Sequence, residues 1–278
     1  MKKQLFVHDN SRVQYWTYHE DKKPTIVMIH GFRGTHHGLE KIVQALPEFR
    51  CIVPYLPGFG ASESFANGEH SLDNYVEFLH DFMQSIDSPA ALLGHSFGSI
   101  VTSHYAARYP DEVQKLILIN PISAPALKGP KAVMTKAALL YYWLAKKSPK
   151  RVSRKILSHK AIVDLMSHQM TISKDPELRA FVRAQHREHF STFASPEVVS
   201  EAFRASVSNT VKDVVRHLIM PTLVVGADKD QVSAVETQRD LTRALPVGKY
   251  VELKNVGHLT HYERPREVAE AIRKFLSE

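Results

Sequence analysis

The sequence predicts an α/β fold: a mostly parallel central sheet, helices on both of its faces, and an α-helical insertion. Three observations carry this. Short continuous apolar runs end at glycine or turn residues, as buried parallel strands do. Segments with helical apolar spacing alternate with them. A long central segment has many helical patterns and no convincing strand.

Val13–His19 alternates and is rich in aromatic and β-branched residues, which reads as a strand. Thr25–His30 (TIVMIH) is a continuous apolar run that stops at Gly31. Leu39–Leu46 has helical spacing, and Arg50–Pro54 is a further short strand before the turn-rich YLPGFGAS. Leu72, Tyr75, Val76, Leu79, Phe82, Met83 and Ile86 form one helix stripe. Ala90–Leu93 reads as a strand, Ser96–Tyr109 as a helix and Lys115–Ile119 as a strand. The pattern resumes with strand Thr222–Gly226, helix Ala234–Leu245, strand Tyr250–Leu253 and a closing helix over Arg266–Leu276. Residues 1–120 and 218–278 are thus expected to form a core domain. Residues 121–217 are expected to form a helical cap, inserted after the sixth strand of the fold at Lys115–Ile119.

Composition narrows the function classes. The 278 residues are 44% hydrophobic and 23% charged, which excludes wholesale disorder, collagen and coiled coil. The longest apolar runs, such as Leu139–Ala145, fall far short of the roughly 18 residues of a membrane span. Met1–Glu20 has no apolar core of a secretory signal. A single cysteine, Cys51, forms no internal disulfide and no cysteine-rich metal site, and reads as a small core residue. A cytoplasmic location is the expectation. The net charge of +7 is unevenly spread: Pro121–His217 holds 17 Lys and Arg against 7 Asp and Glu. The basicity therefore belongs to the central segment.

Gly94-His95-Ser96-Phe97-Gly98 lies between a predicted strand and a predicted helix. That is the context of a G-x-S-x-G elbow, whose turn is so tight that a side chain at either glycine collides with neighbouring backbone. With 12 glycines and 22 serines in the chain, roughly 0.04 chance matches are expected. A serine nucleophile needs a base, and His258 sits in a loop between the last strand and the last helix. The base needs an orienting acid, and Asp228 and Asp230 both follow strand Thr222–Gly226. The order Ser96, Asp230, His258 is that of a triad on such a sheet. Two backbone N–H groups are needed for an oxyanion: Phe97, after the serine, and Phe32 in the loop His30-Gly31-Phe32-Arg33-Gly34.

Together HGFRG, LPGFGAS, GHSFG and GHLTHYERP resemble, in order, the motifs of serine hydrolases of the α/β-hydrolase superfamily, esterase- or lipase-like with a helical cap. The likeness covers Leu5–Ile119 and Met220–Ser277 and leaves out the cap. The superfamily's acid usually stands where this chain has Lys229, with Asp228 and Asp230 on either side. Asp230-Gln231-Val232 matches the Asp-x-Val that commonly follows, so Asp230 is preferred and Asp228 is the alternative. Asn120 and Pro121 occupy the place of a shifted acid, and an Asn cannot stabilise an imidazolium by charge.

The resemblance implies hydrolysis of a carboxylic ester with a small or medium apolar acyl group, through an acyl-enzyme on Ser96. Ring-cleavage carbon–carbon hydrolysis and thioester hydrolysis use the same triad. A ligand receptor without turnover is the reading from another class. No cofactor and no metal is implied. The expected partner is a small-molecule ester. A nucleic-acid partner is not expected, because no binding motif accompanies the basic segment. Ala132–Ala145 followed by KKSPKRVSRK reads as a helix over the pocket with a solvated basic tail, or as a lid in weak contact with an anionic membrane surface. Oligomeric state is not legible. Among the other histidines, His30 reads as a support for its loop and His95 as a packing or pocket residue. His36 and His37 read as a solvated helix start, and His186 and His189 as an accidental pair.

Overall fold

The computed structural model describes residues 1–87, 89–127 and 132–278. The chain opens with a strand not expected from the sequence. β1 (Lys2–His8) pairs antiparallel with β2 (Ser11–Tyr18) through a two-residue turn at Asp9 and Asn10. Both turn residues have positive φ, 44° and 65°, as the right-handed twist of a tight hairpin requires. β1 is mostly exposed at the sheet edge, and its apolar run, Leu5–Val7, is shorter than those of the buried strands.

The remaining core elements run in alternation. β3 (Thr25–Ile29), α1 (His36–Gln44), β4 (Arg50–Pro54), α2 (Leu72–Gln84), β5 (Ala91–His95), α3 (Phe97–Arg108) and β6 (Leu116–Ile119) come first. Five helices follow: α4 (Ala132–Lys147), α5 (Lys150–Leu157), α6 (Lys160–Met170), α7 (Pro176–His189) and α8 (Pro196–Ser208). Then come β7 (Thr222–Ala227), α9 (Val235–Ala244), β8 (Gly248–Leu253), the single-turn α10 (Thr260–Glu263) and α11 (Pro265–Leu276). The eight strands form one sheet in the order β1-β2-β4-β3-β5-β6-β7-β8. β2 is antiparallel to its neighbours and β3 to β8 are all parallel.

The sheet separates two apolar layers, and the pleat decides which residue joins which. Val27 and Ile29 of β3, Leu92 of β5, and Leu116 and Leu118 of β6 face the layer that holds α2 and α3. Ile26 and Met28, Leu93, and Ile117 and Ile119 face the layer that holds α1 and α11. Burial on both faces explains the continuous apolar runs of these strands. Cys51 is fully buried in the second layer, and burial pushes its thiol up to about 12.

The strand order reverses at β3: β4 lies on one side of it and β5 on the other. The loops leaving the carboxyl ends of β3 and β5 therefore diverge and leave a crevice between them. That crevice is where the candidate site lies. The basic stretch after α4 is helical over Lys150–Leu157, which forms α5, with Lys150, Arg151 and Lys155 exposed. No helix among the described residues is long and apolar enough to cross a membrane.

Candidate active site

Ser96 stands between the last residue of β5 and the first of α3, with φ 53° and ψ −118°. A non-glycine residue in this region costs on the order of 1–3 kcal/mol, and the surroundings must hold it there. They do so by close approach of backbone. A Cβ on Gly94 would overlap Thr102 Oγ1 and the Gly98 carbonyl, and a Cβ on Gly98 would overlap the Ile29 and His30 carbonyls. Only glycine fits either place, so the sharp turn and the glycines at its two ends are one feature. The free N–H groups of the first turn of α3 begin at Phe97, directly after Ser96.

Ser96 Oγ lies 2.8 Å from His258 Nε2. His258 Nδ1 lies 2.9 Å and 3.0 Å from the two carboxylate oxygens of Asp230. A carboxylate accepts, so Nδ1 carries the proton and Nε2 is free to accept from the serine hydroxyl. Both side chains of this pair are buried. Burial alone raises the Asp230 pKa, but the charge and hydrogen bond of His258, with the Ser233 amide and Asn120, outweigh it and hold Asp230 below its ordinary value.

Asp230 is held on several sides. Val232 and Ser233 N–H groups donate to Oδ1 at 2.8 Å and 2.9 Å. The side-chain amides of Asn120 and Gln238 donate to Oδ2 at 2.9 Å and 3.2 Å. Asn120 in turn accepts from Thr260 Oγ1, and it takes the left-handed conformation (φ 44°) at the end of β6. Asp228 is only half-buried and accepts from the Val256 N–H at 3.3 Å. Of the two acids left open by the sequence, the geometry brings Asp230 to His258.

The loop after β3 presses against the serine. A Cβ on Gly31 would stand 3.2 Å from Ser96 Cβ, so the Gly31–Gly34 turn passes beside Ser96 with Phe32 in it. The turn closes by the Gly34 N–H donating to the Gly31 carbonyl at 2.9 Å, with Arg33 at φ 55°. His30 braces it from behind. Its Nε2 accepts from the Leu56 N–H at 2.9 Å, so its Nδ1–H donates to the Gly31 carbonyl at 2.8 Å. Burial lowers its pKa to about 4, and it stays neutral in that role. His95 lies under the histidine loop, its Nε2 3.4 Å from the His258 carbonyl.

The serine opens into a cavity of about 290 Å³. Phe32 and Phe97 line it from the core, Ile122 from the segment after β6, Met166 from α6, and Phe203 and Val207 from α8. Arg33 is a site residue with no sequence signal beyond its place in HGFRG. It is buried (2% exposed) and pairs with no carboxylate among the described residues. Its Nε and Nη2 donate to the carbonyls of Phe190 and Leu157, at the carboxyl ends of α7 and α5. The negative ends of two helix dipoles stand in for a counter-ion, and the guanidinium stacks on Phe190 at 4.2 Å. Arg33 thus ties the loop beside the serine to the helical segment.

The reading of His36 and His37 as a solvated helix start changes, while His186 and His189 remain an accidental pair. His36 is not solvated: it stacks on Trp16 at 3.8 Å, and its Nδ1 is 2.8 Å from Tyr55 Oη. A large aromatic strand residue needs a flat partner, and the first residue of α1 supplies it. His37 stacks on His189 at 3.9 Å, and His186 bonds Ser167 Oγ at 2.6 Å. The two histidines of α7 therefore serve separate contacts. No group of metal-ligating side chains occurs among the described residues.

A model of the alpha/beta hydrolase fold matches residues 24–265, a span that includes the helices between β6 and β7. The chain is similar to "Lipase 3" of Moraxella sp., 27% identical over 252 residues, covering 90% of this chain and 76% of that protein. It is similar to a Bos taurus monoacylglycerol lipase, 26% identical over 265 residues, covering 92% of this chain and 76% of that protein. Among solved structures it is similar to a bromoperoxidase from Bacillus anthracis, with a TM-score of 0.82, 19% identity and both chains covered completely. At that identity the likeness is one of fold. The chain belongs to the α/β-hydrolase family.

Proposed function

We propose that this hydrolase cleaves carboxylic esters of a small or medium apolar acyl group through an acyl-enzyme on Ser96. The observation that carries the reading is the run of hydrogen bonds from Ser96 Oγ to His258 to Asp230, beside an apolar cavity of about 290 Å³. Relatives named as lipases, one of them a monoacylglycerol lipase, support an acyl ester as the substrate.

In this mechanism Ser96 Oγ attacks the ester carbonyl carbon as its proton passes to His258 Nε2. Asp230 stabilises the imidazolium that forms. The carbonyl oxygen takes the negative charge and is held by the N–H groups of Phe32 and Phe97, each worth about 3–4 kcal/mol in such sites. Collapse breaks the bond to the alcohol oxygen, which leaves with the His258 proton. Water then gives a proton to His258, attacks the acyl carbon and releases the acid, and the serine regains its proton. Residues 121–217 serve as the cap: α6 and α8 wall the acyl pocket, and Arg33 couples α5 and α7 to the oxyanion loop.

The test is p-nitrophenyl ester hydrolysis over a series of acyl lengths, with Ser96→Ala in parallel. Turnover that peaks at one length and vanishes in the variant is expected. No turnover at any length, with Ser96 still labelled by a fluorophosphonate, would move the reading to thioester or carbon–carbon cleavage by the same triad.

A further inference from the structure

Helix α4 is two-faced: one face packs inward and the other stands in water. On the inner face, Tyr142 is buried and meets Phe203 at 4.5 Å and Phe32 at 5.8 Å. Tyr141 Oη donates to the Ile156 carbonyl at 2.9 Å and ties α4 to α5. The outer face carries Val133, Leu140, Trp143 and Leu144, which are 76%, 55%, 46% and 51% exposed. At about 100° per residue these four fall on one side of the helix. Such a row of large apolar side chains in water marks an interaction surface rather than a folding surface.

The row lies within a basic stretch of the sequence. From Val113 to Val163 the sequence has eleven Lys or Arg and no Asp or Glu. Lys136 and Lys147 lie on the same side of α4 as the apolar row, and Lys150, Arg151 and Lys155 are exposed on α5. Lys146 pairs with Glu201. Lys136, Lys147, Arg151 and Lys155 form no ion pair among the described residues.

We propose that the outer face of α4, with the basic surface of α5, docks on an anionic lipid bilayer. Val133, Leu140, Trp143 and Leu144 enter the boundary between headgroups and acyl chains, and the lysines and arginines meet the headgroup phosphates. Charge selects this occupant over a second copy of the chain. Two-fold pairing of the face would set Lys136, Lys147 and Arg151 against their own copies. Docking here sets the bilayer against the helix whose inner side covers Phe32, and it holds whichever acyl bond the site cleaves.

Trp143 is one of two tryptophans, and the other, Trp16, is buried, so emission reports the face directly. The full chain is mixed with phosphatidylcholine vesicles containing about 30 mol% phosphatidylglycerol, enough for a strongly negative surface. Co-sedimentation and a blue shift of the emission are expected, weakened by salt and by omission of phosphatidylglycerol. Leu140→Ser with Leu144→Ser should lower partitioning roughly tenfold or more at unchanged melting temperature. Trp143→Phe should still co-sediment and lose the shift. Lys150→Glu with Arg151→Glu and Lys155→Glu should abolish the preference for phosphatidylglycerol. Absence of co-sedimentation, or equal partitioning of the Leu140→Ser/Leu144→Ser variant, would overturn the proposal. So would a dimer in analytical ultracentrifugation that this variant dissociates, which would give the face to a second copy.

Discussion

The side-chain amide of Asn120 donates to Asp230 Oδ2 across 2.9 Å, joining the end of β6 to the acid that follows β7. Asn120 is fully buried and accepts from Thr260 Oγ1 on its other side. It therefore sets the distance between the acid loop and the histidine loop. Asn120→Ala leaves one carboxylate oxygen short of a donor. A hydrogen bond to a charged group is worth about 1.5–3 kcal/mol, so kcat should fall by roughly ten- to a hundredfold. KM should change little, because Asn120 does not line the cavity. Steady-state kinetics beside a melting curve separate this from loss of fold.

The two acids should separate sharply. Asp230→Asn keeps the shape and removes the charge that fixes the His258 tautomer, and kcat should drop by about 10⁴. Asp228→Asn should keep most activity, since that side chain is half-buried and meets the Val256 amide rather than His258. Equal losses in the two variants would refute the assignment of the acid.

Two glycines near the serine predict opposite outcomes for one added methyl group. Gly98→Ala forces a Cβ into the Ile29 carbonyl and should prevent folding of the elbow. Gly38→Ala meets only Tyr262 Oη at 3.7 Å, an ordinary contact, within α1. It should stabilise the protein by roughly 0.5–1 kcal/mol, the helical advantage of alanine over glycine. Urea unfolding reads both.

Acid should destabilise the fold before it protonates the carboxylates. Burial lowers the pKa of His30 and His70 to about 4, and of His36 and His95 to about 3, from 6.5. In the unfolded chain these imidazoles take up protons below pH 6.5, while in the folded chain they resist until about 4 or 3. The unfolded state then binds more protons, so stability falls as pH falls through that window. The melting temperature should be level above this range and decline steadily within it. A level melting temperature down to pH 4 would contradict the burial of these side chains as neutral groups.

Most of the sheet was legible because β3 to β7 are buried on both faces, and a continuous apolar run such as TIVMI has few other uses. β1 was not, because its apolar run is only Leu5–Val7, and Leu5 and Val7 stand on the exposed face of an edge strand. The elbow was legible because Gly94 and Gly98 are sterically required. The choice between Asp228 and Asp230 stayed open because it depends on the path of one loop, in which a single residue, Lys229, separates a half-buried carboxylate from a buried one. Arg33 and His36 escaped for a different reason. Their partners are the Leu157 and Phe190 carbonyls and the Trp16 ring, which are far away in sequence. Charged and polar residues are ordinarily solvated until such a partner is known.

The most direct test of the account is intact-protein mass spectrometry of the chain mixed rapidly with a p-nitrophenyl ester of its preferred length and quenched in acid. One added acyl group, mapped to the peptide that holds Ser96, is expected in the wild type and not in Ser96→Ala. Full turnover with no acyl mass on Ser96, or an undiminished rate in Ser96→Ala, would contradict it.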